Sequence, residues 1–236
     1  MNREAPCFWA IVPAAGVGRR MGSTLPKQYL TLHGGLVIDH ALATLVAHPT
    51  IIRVIVAISA LDEWWAETTH ARHLRIQRVT GGKERADSVL NGLLALEQEA
   101  DPMDWVLVHD AARPCLHPND LNNLIAQLAS HPIGGLLAAP LSDTVKRADD
   151  TGRVLETLPR EQLWRAFTPQ MFRYGALRQA LQQARADNRC VTDEASAIEL
   201  AGNVPQLVEG RSDNIKITRP EDLALAEFYL SQRDRN

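Results

Sequence analysis

Arg19, Arg20 and Lys27 fall within one short stretch, VPAAGVGRRMGSTLPKQY (12–29), directly after the small-residue run Ala14, Ala15, Gly16, Val17 and Gly18. Small side chains let backbone N–H groups approach an anion, and arginine and lysine can then neutralise it. A triphosphate carries about four negative charges, so several cations on one such loop suit its phosphate chain. Two standard phosphate loops are excluded. The dinucleotide pattern G-x-G-x-x-G needs a third glycine where Met21 stands, since Gly22 comes one residue late. The pattern G-x-x-x-x-G-K-[ST] is absent too, because Lys27 follows Pro26. Hydride transfer is thereby disfavoured. The plain alternative is a solvated basic turn, against which Pro26 argues by stiffening the approach to Lys27.

A second chemical position is Asp110, which closes the apolar run WVLVHD (105–110). A carboxylate there suits a substrate hydroxyl or Mg²⁺, preferably through water because Mg²⁺ dehydrates reluctantly. The following DAARP also allows a helix N-cap. His109 reads as a packed, hydrogen-bonding residue, and none of the 8 histidines has metal-ligand spacing. Cys7, Cys115 and Cys190 lack a C-x-x-C pair, which points to a reduced, cytoplasmic setting.

Such residues need a frame to hold them. Apolar runs at 8–13, 51–59, 75–80, 105–110 and 134–140 alternate with helical patterns at 39–48, 61–71, 84–97 and 118–130, the last opened by Pro118. That rhythm predicts an α/β fold with an open, doubly wound, mostly parallel sheet, whose ligand edge lies at the carboxyl ends of the strands. After Pro140 the pattern changes. Residues 141–160 are polar, turn at ADDTGR and alternate at VLETL, which predicts a projecting β-hairpin. Its plain role is an edge extension and its sharper one an arm exchanged with a second subunit. Helices follow at 173–187 and 193–201, then a strand at 205–209, the segment NIKIT (214–218) and a closing helix over 218–230. Thr218 is expected as its N-cap, with Glu221 in the capping-box position.

The 236 residues fit one domain, 1–236, with the arm at about 141–160. A formal net charge of −3 gives no global attraction to nucleic acid. No apolar run reaches the roughly 18 residues of a membrane span, and the first apolar stretch is too short for a signal peptide. Neither nucleic acid nor membrane is expected as a partner.

PAAGVGRRM, LPKQY, GGKERADSV, VHDAARP, TVKR, TPQ, TDEAS and DNIKITRPEDLALAE occur in this order. Together they closely resemble the 2-C-methyl-D-erythritol 4-phosphate cytidylyltransferases, over about residues 8–231. PAAGxGxRM alone is shared by many sugar-phosphate nucleotidyltransferases; the ordered set is far more specific. The resemblance implies a Rossmann-like nucleotidyltransferase fold. It implies a reaction of CTP with 2-C-methyl-D-erythritol 4-phosphate, giving the cytidine-diphosphate-linked methylerythritol and pyrophosphate, a step of non-mevalonate isoprenoid synthesis. It also implies Mg²⁺ as cofactor and a homodimer with exchanged arms.

Residue by residue, the resemblance puts Arg20 and Lys27 at positions that stabilise the transition state, and Arg160 and Lys216 at positions that hold the acceptor phosphate. Pro13, Ala14, Ala15, Gly16, Gly18, Gly82 and Ser88 would contact CTP. Asp110, Arg113, Thr144, Thr168 and Thr192 would contact the acceptor, Thr144 and Arg160 coming from the partner's arm. Arg19 has no such role and reads as a surface residue. Lys83 departs from the acidic residue expected in relatives, which matters only if its side chain touches the nucleotide. The acceptor's phosphate oxygen is already anionic at neutral pH, so the reaction needs neither a protein nucleophile nor a general base. A ribitol 5-phosphate cytidylyltransferase and a non-catalytic nucleotide-sensing module are the competing readings.

Overall fold

β1 (Phe8–Pro13) is an interior strand whose alternation divides the core in two. Successive side chains of a strand point to opposite faces. Ala10 and Val12 pack with Ile38, Leu42 and Leu45 of α1 (Val37–Ala47), while Trp9 and Ile11 pack with Val89 and Leu93 on the other face. The computed structural model describes residues 5–16 and 25–233.

Between β1 and α1, β2 (Thr31–Leu32) and β3 (Gly35–Leu36) form a tight hairpin. His33 and Gly34, at φ of 45° and 75°, supply its left-handed turn. β4 (Ile51–Ile58), β5 (Ile76–Thr80), α2 (Arg85–Ala95), β6 (Trp105–Val108), α3 (Pro118–Leu128) and β7 (Gly134–Pro140) follow. β8 (Val145–Ala148) and β9 (Val154–Leu158) precede β10 (Trp164–Arg173), α4 (Tyr174–Ala186), α5 (Glu194–Leu200), β11 (Gln206–Glu209) and α6 (Pro220–Arg233).

Seven strands form the main sheet in the order β11–β7–β10–β6–β1–β4–β5. β10 runs antiparallel to both neighbours, and the other pairings are parallel. α1 and α3 cover one face; α2, α4 and α5 cover the other. The doubly wound, mostly parallel architecture is therefore the expected one. The chain leaves β1 toward β4 and β5, then returns to β6 on the opposite side of β1. This reversal opens a crevice at the carboxyl ends of β1 and β6, where open α/β sheets bind ligands.

Gly92 sets how closely α2 approaches that crevice. A Cβ at this position would lie 2.8 Å from Ile11 Cγ2, so glycine lets the helix rest against β1. The opposite end of α2 then carries Arg85 and Ser88 to the crevice mouth.

The expected hairpin is present. β8 and β9 pair antiparallel in a sheet of their own, turning at Gly152 with φ +82°. The Asp149 carboxylate accepts from the Thr151 and Arg153 N–H groups. Val154 and Leu155 are 61% and 59% exposed, so this hairpin leaves apolar side chains uncovered in the single chain.

Three local expectations change. Residues 61–71 do not form a helix; only a 3₁₀ turn at Trp65–Glu67 appears. Asp62 accepts from the Trp64 and Trp65 N–H groups, and Asp39 accepts from Thr69 N–H, drawing the backbone away from a helical ladder. The closing helix begins at Pro220, and Asp222 replaces Glu221 as its capping carboxylate. Asp222 Oδ2 accepts from Thr218 N–H at 2.7 Å, Arg219 N–H at 2.9 Å and the Thr218 hydroxyl at 2.9 Å. β10 is an additional strand, absent from the sequence reading.

Candidate active site

A cleft of about 370 Å³ opens at the carboxyl ends of β1 and β6. Pro13, Ala14, Ala15, Gly16, Lys27, Gly82, Ser88, Asp110 and Lys216 line it, so most positions expected at a nucleotide site meet in one place. Gly18 and Arg20 lie outside the described residues, as does Arg19.

The first loop is anchored at its base. Ala14 N–H donates to Ala57 O at 2.8 Å, and the buried Gln28 amide donates to Ala14 O at 2.7 Å and Gly16 O at 3.2 Å. Ala15 packs against Gly81, which has no room for a side chain. A Cβ added at Gly81 would fall 2.4 Å from Ala15 Cβ. Lys27 Nζ donates to Ile217 O at 2.7 Å, tying this side of the cleft to the segment that bears Lys216.

Gly82 and Ser88 form the opposite wall. The Ser88 hydroxyl accepts from Gly82 N–H at 3.0 Å and donates to Glu84 O at 3.2 Å, so it braces the turn. A Cβ at Gly82 would lie 2.1 Å from Asp87 Cβ, which makes this turn dependent on glycine.

Asp110 is the electrostatic centre. Its Oδ1 accepts from Arg85 Nε at 2.8 Å; its Oδ2 lies 2.8 Å from Lys216 Nζ and 3.6 Å from Arg113 Nε. Burial alone would raise its pKa, but the charges of Arg85, Lys216 and Arg113 outweigh burial and hold the carboxyl well below the usual carboxylate range. The N-cap alternative for Asp110 fails: its carbonyl accepts from Arg113 N–H in a turn, and no helix begins until Pro118. Both carboxylate oxygens already face cations. Direct ligation of a metal by Asp110 therefore does not fit this arrangement, and no group of three or more His, Cys, Asp and Glu side chains suited to a metal occurs among the described residues.

His109, fully buried, organises the floor beneath Asp110. Its Nε2 lies 3.0 Å from Arg113 O, which can only accept, so Nε2 carries the proton. Burial depresses the imidazole pKa to about 4, so the ring is neutral and Nδ1 is an acceptor. Thr168 Oγ1, 3.0 Å from Nδ1, therefore donates its proton to His109 while accepting from Asp110 N–H at 3.1 Å. Any ligand contact to that hydroxyl must come from a donor. Arg113 is fixed by donation to Asn214 O at 2.7 Å, and Asn214 Nδ2 donates to Thr168 O at 2.8 Å.

Thr144, Arg160 and Thr192 are exposed and do not line the cleft of their own chain. Arg160 donates to Ser142 O, closing the base of the hairpin, and Thr192 N–H donates to Ser196 Oγ beside α5. The structure brings in three residues that sequence reasoning did not single out: Gln28, Arg85 and Glu194. Arg85 NH1 and NH2 donate to the two Glu194 oxygens at 2.6 and 3.0 Å. No spacing rule could join positions 109 residues apart.

Comparison with known proteins bears on the family of the chain. The profile of the IspD family, 2-C-methyl-D-erythritol 4-phosphate cytidylyltransferase, matches residues 8–232. The 2-C-methyl-D-erythritol 4-phosphate cytidylyltransferase of Pseudomonas savastanoi pv. phaseolicola is 57% identical, over 99% of this chain and 98% of that protein. Its counterpart in Pseudomonas putida W619 is 56% identical with the same coverage. Among solved structures, the Francisella tularensis enzyme of the same name superposes with a TM-score of 0.82 at 37% identity, covering 94% of this chain and 99% of that one. A 4-diphosphocytidyl-2C-methyl-D-erythritol synthase gives a TM-score of 0.83 at 35% identity, with 97% and 100% covered. On the fold, the cleft and these likenesses together, the chain belongs to the 2-C-methyl-D-erythritol 4-phosphate cytidylyltransferase family.

Proposed function

We propose that this cleft performs the family's reaction: CTP and 2-C-methyl-D-erythritol 4-phosphate give 4-diphosphocytidyl-2-C-methyl-D-erythritol and pyrophosphate. An oxygen of the acceptor phosphate forms a bond to the α-phosphorus of CTP. The bond from that phosphorus to the β-phosphate bridging oxygen breaks, and pyrophosphate carries the electron pair away. Both reactants are anions, so catalysis consists of positioning and cationic stabilisation.

Lys27, with Arg20, stabilises the charge that builds on the transferring group and pyrophosphate. Lys216 and Arg160 hold the acceptor phosphate in line. The single observation that carries this reading is the Asp110–Lys216 pair at 2.8 Å, in the same cleft as Lys27 and the Pro13–Gly16 backbone. Asp110 takes an acceptor hydroxyl, helped by Arg113, Thr168 and Thr192, while Gly82 and the neighbouring backbone meet the cytosine edge. Mg²⁺, which would neutralise phosphate charge, is best carried by the CTP phosphates, with no more than a water-mediated contact to Asp110.

We further propose one nucleotidyltransferase domain over 1–236 whose arm, 141–160, reaches a second copy of the chain. The exposed Val154 and Leu155, and the position of Thr144 and Arg160 on the arm, support a shared site. A cytoplasmic location accords with the free thiols of Cys7, Cys115 and Cys190. No helix among the described residues is long and apolar enough to cross a membrane.

The test is pyrophosphate release from CTP with each of two acceptors under equal conditions. Turnover with 2-C-methyl-D-erythritol 4-phosphate is expected. Turnover confined to ribitol 5-phosphate would reassign the acceptor, and CTP binding with no release from either would leave a sensing module.

A further inference from the structure

Asp110 receives its third cation from a residue that is itself held from behind. Glu194, the first residue of α5, is 1% exposed, and both its oxygens are taken by Arg85 at 2.6 and 3.0 Å. The Arg85 guanidinium thus presents its forked end to Glu194 and its Nε edge to Asp110 Oδ1 at 2.8 Å. A planar guanidinium gripped at two edges has no freedom to rotate.

We propose that Arg85 and Glu194 form a positioning pair that aims the Asp110 carboxylate toward the acceptor side of the cleft and keeps its second oxygen for Lys216. The proposal rests on the reading of the cleft given above.

The charge count explains why two residues are needed. Arg85, Arg113 and Lys216 face Asp110 and Glu194, leaving one surplus positive charge in the cluster. Glu194 takes up the forked end of Arg85, so Arg85 holds Asp110 only through Nε on Oδ1, and Oδ2 is left to Lys216 and Arg113. Were Glu194 neutral, Arg85 would have only Asp110 as counterion and would compete for it with Lys216. The burial of Glu194 favours orientation over stability as its role, because a buried ion pair is often no more stabilising than an apolar replacement.

α5 is also fastened to the strand that bears Thr168. Gln170 on β10 donates to Asp193 Oδ2 at 2.9 Å and accepts from Ala195 N–H at 2.8 Å. Glu194 therefore stands on the same rigid base as the floor of the proposed acceptor site. Neither residue of the pair need touch the acceptor to govern its binding.

The experiment measures steady-state kinetics of Glu194→Gln and of the double variant Arg85→Gln/Glu194→Gln, with CTP and acceptor varied separately. The double variant leaves neither member of the pair as an uncompensated charge and serves if the single variant fails to fold. The unaltered chain is assayed first, since its inactivity with 2-C-methyl-D-erythritol 4-phosphate would overturn the underlying reading instead. Expected is a tenfold or larger rise in KM for the acceptor, with KM for CTP changed less than twofold and partial recovery in Glu194→Asp. Equal changes in both KM values, or lowered thermal stability with unchanged kinetics, would overturn the positioning role.

Discussion

Lys216 Nζ lies 2.8 Å from Asp110 Oδ2, and the carbonyl of the next residue, Ile217, accepts from Lys27 Nζ at 2.7 Å. Two cations proposed for opposite sides of the reaction thus converge on one short segment. Ile217 N–H donates to Ala112 O at 2.8 Å, so this segment is also tied to the turn that follows Asp110.

Replacing Lys27 by alanine removes a transition-state cation and its link to Ile217. We expect kcat to fall by roughly 10²–10³, about 3–4 kcal/mol, while CTP affinity falls less. Turnover close to that of the parent would contradict the role given to Lys27.

If Arg160 acts from the partner's arm, two inactive variants should complement each other. Co-expressed Arg160→Ala and Lys216→Ala chains form mixed dimers with one intact shared site each. At random pairing, about a quarter of parental sites, and of activity, should return. No recovery in mixed dimers verified by mass would place Arg160 in its own chain's site or outside any site.

The pH dependence of stability should carry the signature of His109. Its folded pKa, about 4, lies below the ordinary 6.5, so the unfolded chain binds the proton first on acidification. Stability from this group is full above pH 6.5 and is lost as pH falls toward 4, by about 3 kcal/mol. The depressed carboxyl of Asp110 adds a further loss below its ordinary value of 3.8. His109→Gln should flatten the slope between pH 6.5 and 4.5 in urea titrations; an unchanged slope would show that the burial of His109 does not set it.

Gly81→Ala tests the contact between the two nucleotide-side loops. The new methyl would meet Ala15 Cβ at 2.4 Å and Ser88 Oγ at 3.0 Å, forcing the walls apart at a cost of about 1–3 kcal/mol. CTP affinity measured by calorimetry should weaken about five- to 150-fold if that cost falls on the bound state. Unaltered CTP binding would mean that the loops relax freely.

The positions nearest the strand ends were legible in the sequence. β1 and β6 are continuous apolar runs, and Asp110 follows one of them, so its place at the ligand edge came from pattern alone. β10 was not legible, because Pro169 interrupts its pattern and a register irregularity between Ala166 and Gln170 accommodates that residue. The apparent helix at 61–71 failed because Asp62 and Asp39 offered its backbone competing acceptors. Arg85 and Glu194 were hidden for another reason: their partnership exists only after α2 and α5 pack on one face of the sheet.

In the proposed reaction the acceptor's own phosphate attacks the α-phosphorus of CTP in this cleft. The most direct measurement is ³¹P NMR and mass analysis of products from CTP and 2-C-methyl-D-erythritol 4-phosphate labelled with ¹⁸O in its non-bridging phosphate oxygens. Label is expected in the bridging oxygen of the product diphosphate, with unlabelled pyrophosphate. Unlabelled bridging oxygen, label in the pyrophosphate, or no cytidylylated product would contradict the proposed reaction.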